Sequence, residues 1–169
     1  MKSLVLLLVF IIPCLLFAES EKTFVRKGNK QFKDGKYNEA EINYRKSLEK
    51  KPNYSKGTYN LGDALYKQKN YQEAAEKFLS IGQDPKVDKE TRAMAYHNLG
   101  NSLLEGKQYA PSIEAYKNSL KLSPKDEQTR YNLEYAKKML IQQQQQQQQK
   151  QNKNQNQDKI KPYKSYIFI

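Results

Sequence analysis

The sequence predicts an all-α solenoid, built from three helix-turn-helix repeats and closed by a C-terminal capping helix. Three observations lead to this fold class. Gly28, Gly62 and Gly100 recur at intervals of 34 and 38 residues. Tyr37, Tyr71 and Tyr109 follow each glycine at one offset, and Tyr44, Phe78 and Tyr116 follow in the same phase. Between these markers, apolar residues recur with the 3.6-residue period of helices packed on one side. A spacing near 34 residues is that of stacked helical hairpins, none of which buries its apolar face alone. Stacked, they leave a long concave surface open to another chain. The repeat therefore points to binding rather than catalysis.

The first repeat covers about residues 21–53. Its first helix is expected over Phe24–Lys33, with Gly28 and Phe32 on the packed side, and Asp34-Gly35-Lys36 forms the turn. A second helix over Asn38–Lys50 carries Ala40, Tyr44, Ser47 and Leu48 at i, i+4, i+7 and i+8, and Pro52 ends the unit. The second repeat covers about residues 54–89. Tyr59, Asn60, Leu61, Gly62 and Leu65 belong to its first helix, Lys69-Asn70 to its turn, and Ala74, Phe78 and Ile81 to the inner stripe of its second helix. Gly82-Gln83-Asp84-Pro85 is expected to stop that helix early. Lys86 to Lys89 then form a longer link that absorbs the four extra residues of the 38-residue interval. The third repeat covers about residues 90–124. It has Tyr96, Leu99, Gly100, Leu103 and Leu104 in one helix, Gly106-Lys107-Gln108 in the turn, and Ile113, Tyr116, Ser119 and Leu120 in the other. Pro111 falls in the first turn of that last helix, where a missing N–H does little harm.

Residues 127–141 open like a fourth repeat, with Tyr131, Asn132, Leu133, Ala136, Met139 and Leu140. Glu134 stands in the glycine position and no partner helix follows. This segment is expected to cap the stack. The repeated glycines have a packing role, and no Gly-x-Gly or Gly-Lys-Ser pattern marks a phosphate loop.

Leu61-Gly62, Ala74, Phe78, Leu99-Gly100, Tyr116 and Pro124 match the tetratricopeptide (TPR) repeat pattern, so residues 21–141 resemble a TPR domain. The leading apolar segment, the three repeats, the Asn132-Leu133-Glu134-Tyr135-Ala136-Lys137-Lys138 stretch and the glutamine-rich tail resemble exported BatC-type proteins of bacterial aerotolerance (Bat) operons. Members of that family usually carry a longer tail. The resemblance implies a periplasmic or envelope scaffold working with membrane proteins that bear von Willebrand A-type domains, in a system linked to stress tolerance.

In this fold the first helix of each pair lines the groove. Repeat phase places Asn29 and Phe32 there, then Tyr59, Asn60, Asp63 and Tyr66. His97, Asn98, Asn101 and Leu104 follow, and Tyr131, Asn132 and Tyr135 complete the face. Asn60, Asn98 and Asn132 occupy equivalent positions, and an amide offers donors and an acceptor at once. A row of them suits the backbone of an extended peptide of any sequence. Chaperone-binding repeats clamp a terminal carboxylate with lysines and an arginine. The corresponding positions here are Val25, Met94 and Asn98, so binding of chaperone tails is not expected. His97 is the only histidine and is read as a groove hydrogen-bonding or surface residue. Neither a metal ligand set nor a nucleophile motif accompanies it, so no metal, cofactor or enzymatic activity is expected.

Met1–Ala18 reads as an export signal: Lys2, an apolar run from Leu4 to Phe17 broken at Pro13-Cys14, then Ala18 before polar Glu19-Ser20. Fourteen helical residues span roughly 21 Å against a hydrocarbon core of about 30 Å. That favours a signal cleaved after Ala18 over the alternative, an uncleaved anchor through residues 4–17 in a membrane-bound assembly factor of envelope or secretion machinery. Pro13 and Leu15-Leu16-Phe17 argue against lipoprotein processing at Cys14. With the signal removed, no cysteine remains, and the fold relies on packing alone. The formal net charge of +12 is spread over helix surfaces without an arginine cluster, and nucleic acid is not an expected partner. Residues 142–169 are a low-complexity tail rich in Gln, Asn and Lys. They are expected to prolong the capping helix for a few turns and then lose order, serving as a tether, a self-association segment or a passive spacer.

Overall fold

A computed structural model describes residues 20–164, with side chains to Lys153. The expected export signal, and the last five residues of the tail, lie outside the described residues. The described chain consists of seven helices: α1 (Glu21–Lys33), α2 (Tyr37–Lys50), α3 (Ser55–Lys67), α4 (Tyr71–Gln83), α5 (Lys89–Glu105), α6 (Tyr109–Leu122) and α7 (Glu127–Lys164). Each helix packs on the next in sequence; α1 also touches α3, and α5 touches α7. The first helices of the hairpins and α7 thus form one layer, and α2, α4 and α6 form the other. This is the expected all-α solenoid of three hairpins and a cap.

Three of the helix starts follow from capping chemistry. Ser20 accepts from the Thr23 N–H at the head of α1, Asp88 from Thr91 at the head of α5, and Asp126 from Thr129 at the head of α7. The three hairpin turns share one geometry. Lys36, Asn70 and Gln108 donate their N–H groups to Gln31, Leu65 and Leu103, while Gly35, Lys69 and Lys107 donate to Phe32, Tyr66 and Leu104. This is a Schellman closure, which needs a left-handed residue. Gly35 supplies it in the first turn at φ 73°, but Lys69 (φ 63°) and Lys107 (φ 59°) supply it in the others. Gly106, in the third turn, has an ordinary φ of −73°.

The repeated glycines meet the repeated aromatics. A Cβ on Gly28 would lie 2.5 Å from the Tyr44 ring, and one on Gly62 would lie 2.9 Å from Phe78; Gly100 and Tyr116 are closer still. Each second-layer ring therefore rests on bare backbone of its hairpin partner. Around these contacts Ala40, Leu61, Ala64, Leu65, Ala74 and Ala75 form one core cluster, and Ile113, Tyr116, Leu133 and Ala136 form a second beneath α7. Two buried serines on the inner stripe bridge the layers. Ser47 donates to the Glu21 carbonyl and Ser119 to the Ala93 carbonyl, both at 2.9 Å.

Two expectations about segment boundaries need correction. The four extra residues of the second interval do not form a longer link. The connection from α4 to α5 is residues 84–88, only one longer than 51–54, and the insertion instead adds a turn to the front of α5, which has 17 residues against 13 in α1 and α3. The reason is Asp88, a strong N-cap that starts the helix at Lys89. The expected prolongation of the capping helix past Ile141 also runs further than a few turns. Helix α7 continues to Lys164, because Gln and Lys are good helix formers and no glycine interrupts the run. Of its side chains from 142 to 153, all but Gln143 are exposed. Among the described residues no helix is long and apolar enough to cross a membrane.

Candidate functional site

The first-layer helices carry a row of side-chain hydrogen bonds that joins each repeat to the next. Asn60 donates its amide to Asn29 Oδ1 (2.8 Å), Asn98 to Asp63 Oδ1 (3.3 Å), and Asn132 to Asn101 Oδ1 (3.0 Å). The acceptors are the residues immediately after the three glycines. In the outer repeats each also accepts from the second-layer tyrosine: Tyr44 Oη reaches Asn29 at 2.8 Å, and Tyr116 Oη reaches Asn101 at 2.7 Å. The predicted asparagine row is thus a stitch between repeats as well as a groove surface. The Oδ1 atoms of Asn60 and Asn98 have no protein partner among the described residues, so each can accept a further hydrogen bond.

The middle repeat departs from this scheme. Its aromatic is Phe78, which has no hydroxyl, and its acceptor is Asp63. Asn98 also donates to Tyr59 Oη (2.9 Å), whose ring packs edge-on against Phe78 at 5.5 Å. Burial pushes the Asp63 carboxyl up to about 6, against a smaller opposing pull from Lys67. Burial, and then the Asp63 charge, push the hydroxyls of Tyr59 and Tyr44 up to about 12.

Two hollows open on this face. One, of about 510 Å³, is bounded by Asn29, Tyr59 and Asn60 with Val25, Lys56, Lys86, Asp88 and Met94. The other, of about 330 Å³, is bounded by Tyr66, Asn101, Leu104, Tyr131, Asn132 and Tyr135, together with Glu105. Most of the candidate groove residues line one of the two. Phe32 packs instead on Tyr37 at 5.2 Å. Tyr66 makes the equivalent contact with Tyr71 at 5.5 Å. Tyr131 and Tyr135 have no second-layer helix over them and are 73% and 45% exposed.

His97 has a defined place. Its ring lies edge-on to Tyr116 at 5.9 Å, and Nδ1 contacts Thr129 Oγ1 at 2.5 Å. Thr129 is fully buried and donates its hydroxyl to Asp126 Oδ2 at 2.6 Å. Its oxygen therefore accepts from the Nδ1–H of His97. Burial holds the imidazole below its usual value, while Asp126 pulls the other way. Burial of Asp126 is outweighed by hydrogen bonds from Thr129 and by His97, which hold its carboxyl below the usual range. The chain ties α5 to the N-terminus of α7, and the buried threonine in the middle is no accessible nucleophile. Among the described residues no group of three or more His, Cys, Asp or Glu is placed to hold a metal ion.

Residues 25–88 match one family model described as tetratricopeptide repeat, and residues 93–126 match a second. The chain is a tetratricopeptide repeat protein. Solved TPR domains share the architecture. The first TPR domain of Spaghetti (RPAP3), bound to the HSP90 peptide SRMEEVD, superposes with a TM-score of 0.65 at 23% identity, covering 72% of this chain and 94% of that one. The second TPR domain of human RPAP3, in complex with the HSP70 peptide SGPTIEEVD, gives 0.60 at 24%, covering 70% and 92%. The Sgt2 TPR domain from Aspergillus fumigatus gives 0.63 at 21%, covering 72% and 79%. No curated protein sequence matches the chain.

Within this TPR groove, sequence reasoning missed Glu105, Thr129 and Asp126. Glu105 had a legible signal, since it stands five residues after Gly100 where Lys33 and Lys67 follow Gly28 and Gly62. Its charge reverses the pattern of the other repeats. Thr129 had none, because its role depends on a neighbour 32 residues away.

Proposed function

We propose that this TPR protein is a non-enzymatic exported scaffold that holds an extended peptide segment or a partner protein in its concave groove, within an envelope-associated stress or aerotolerance complex. The observation that carries the reading is the groove itself. Half-buried Tyr59 and Tyr66 of α3 and exposed Tyr131 and Tyr135 of α7 stand along it with the asparagine row, and two hollows of several hundred cubic ångströms lie along it. Apolar surface with a few fixed polar groups is what an extended guest needs. Related folds in RPAP3 hold peptides, which supports this use of the surface. Their acidic guests are not proposed here: Val25 is buried, Met94 stands exposed, and Asn98 is bonded to Tyr59 and Asp63.

Export and an envelope location rest on the apolar Met1–Ala18 segment. Membrane partners with von Willebrand A-type domains rest on the resemblance of the 132–138 stretch. A photo-crosslinking residue placed at 131, in the groove, and at 42, on an exposed second-layer position, tests the binding reading in cells. An adduct with a partner polypeptide is expected from position 131 and not from 42. Equal labelling at both, or none at 131, refutes the groove reading. Sequencing the N-terminus of the mature chain tests export: a start at Glu19 is expected, and a start at Met1 removes the cleavage claim.

A further inference from the structure

We propose that the α7 end of the groove seats a lysine or arginine side chain of the guest, between the phenol rings of Tyr66, Tyr131 and Tyr135 and the carboxylate of Glu105. This rests on the peptide-groove reading and narrows the guest to an extended, cation-bearing segment.

Four observations support it. Three of the seven residues lining this hollow are tyrosines, and its one charged residue is Glu105. Among the described residues the Glu105 carboxylate makes no hydrogen bond and no ion pair within 4 Å. The faces of Tyr131 and Tyr135 are open, and a cation is attracted by the negative face of an aromatic ring. Asp63 lies one turn along α3 from Tyr66, outside the lining of this hollow, and is the next carboxylate along the groove, with Lys67 as the cation that opposes its charge. A chain of net charge +12 has thus placed an acid and phenols at this end of its groove, against its overall sign, whereas the other hollow carries Lys56 and Lys86 beside Asp88. An anionic guest would meet Glu105 and Asp63 with like charge. A purely apolar one would strip water from Glu105 without replacing it.

The test measures the full chain by fluorescence anisotropy against three labelled peptide pools. Each pool is about ten residues long and neutral, except for a central position fixed as lysine or arginine, as norleucine, or as glutamate. The cationic pool is expected to bind about tenfold tighter than the norleucine pool, and the glutamate pool most weakly. Nonspecific attraction to the basic surface predicts the reverse order. Glu105→Gln should shrink the cationic advantage, and Tyr131→Ala with Tyr135→Ala should remove it. All three side chains are exposed, so circular dichroism should show the fold retained. A norleucine or glutamate pool that binds as well as the cationic pool overturns this inference and leaves the peptide groove standing. Failure of all three pools to bind refutes both.

Discussion

Asp63 is a carboxylate whose burial disfavours its charged form, and Asp63→Asn measures what that burial costs the fold. Its equivalents in the outer repeats are asparagines, each accepting two hydrogen bonds. Asp63 accepts one, at 3.3 Å, because Phe78 offers no hydroxyl. A carboxyl shifted from 3.8 to about 6 corresponds to about 3 kcal/mol if all of the desolvation is felt in the folded state. Solvent reaches part of this side chain, and we expect about 1–2 kcal/mol. The sign follows from the direction of the shift. The folded carboxyl holds its proton more tightly than the unfolded one, so the folded state is favoured below about pH 4 and loses that advantage as pH rises through about 6.

Asp63→Asn keeps the acceptor for Asn98 and removes the charge. It should therefore stabilise the protein by about 1–2 kcal/mol near pH 7.5 and by almost nothing near pH 4. Urea unfolding followed by circular dichroism at the two pH values reads the difference. His97, whose imidazole is held below its usual value, acts in the opposite sense, since the stability it contributes is lost on acidification. Both variants carry it, so its effect cancels. A destabilised variant at neutral pH, or an equal gap at both pH values, refutes the account of Asp63 as an under-solvated charge.

Gly100→Ala forces a Cβ into the Tyr116 ring. Overpacking should cost about 1–3 kcal/mol against about 1 kcal/mol gained in helix propensity, so the midpoint of urea unfolding should fall; an unchanged midpoint contradicts the packing role of the glycines. Lys107→Gly relieves a left-handed lysine and should raise the melting temperature by a few degrees, about 0.5–1 kcal/mol, whereas Gly106→Ala should not lower it by a comparable amount. Asn60→Ala with Asn98→Ala should keep the helical circular dichroism signal while weakening peptide capture and costing about 1–3 kcal/mol; full stability in the double variant argues against the inter-repeat stitch. Truncation after Ile141 removes residues whose described side chains, from 142 to 153, are all exposed but Gln143, and it should leave the unfolding midpoint within about 0.5 kcal/mol of the full chain; a larger drop would show that the distal part of α7 supports the solenoid.

The fold was legible because its strongest signals are periodic. A ring that always needs a glycine beneath it writes that pair into the sequence at a fixed offset, three times over. The Schellman turns were legible as turns, but the residue bearing the positive φ was not. Glycine marks it in the first turn, lysine bears it in the second, and in the third Gly106 sits one position early. The four-residue insertion was misplaced because Gly82 and Pro85 read as breakers, whereas Asp88 decided where the next helix began. The groove face was legible by phase, but its bonding was not. Asparagines equivalent by spacing say nothing about which neighbour each one faces, and here the neighbour belongs to the preceding repeat.

The departures of the middle repeat are correlated. Outer repeats carry Asn, Tyr and Ser at three equivalent positions: Asn29, Tyr44 and Ser47, then Asn101, Tyr116 and Ser119. The middle repeat carries Asp63, Phe78 and Ile81. Losing the tyrosine hydroxyl removes a donor from the acceptor on the first helix. Replacing serine by isoleucine removes the second-layer bond to a first-helix carbonyl. Both changes make the middle hairpin more apolar, and burial is what raises the Asp63 carboxyl. An aspartate with a single long hydrogen bond there is the arrangement least suited to stability alone. It is well suited to a groove whose guest brings its own positive charge, since the burial that penalises the empty carboxylate also strengthens its attraction for that cation. On this argument peptide affinity should rise as pH increases through about 6, as Asp63 ionises. It should stop doing so in Asp63→Asn, and a pH-independent wild type would show that the guest does not sense this charge.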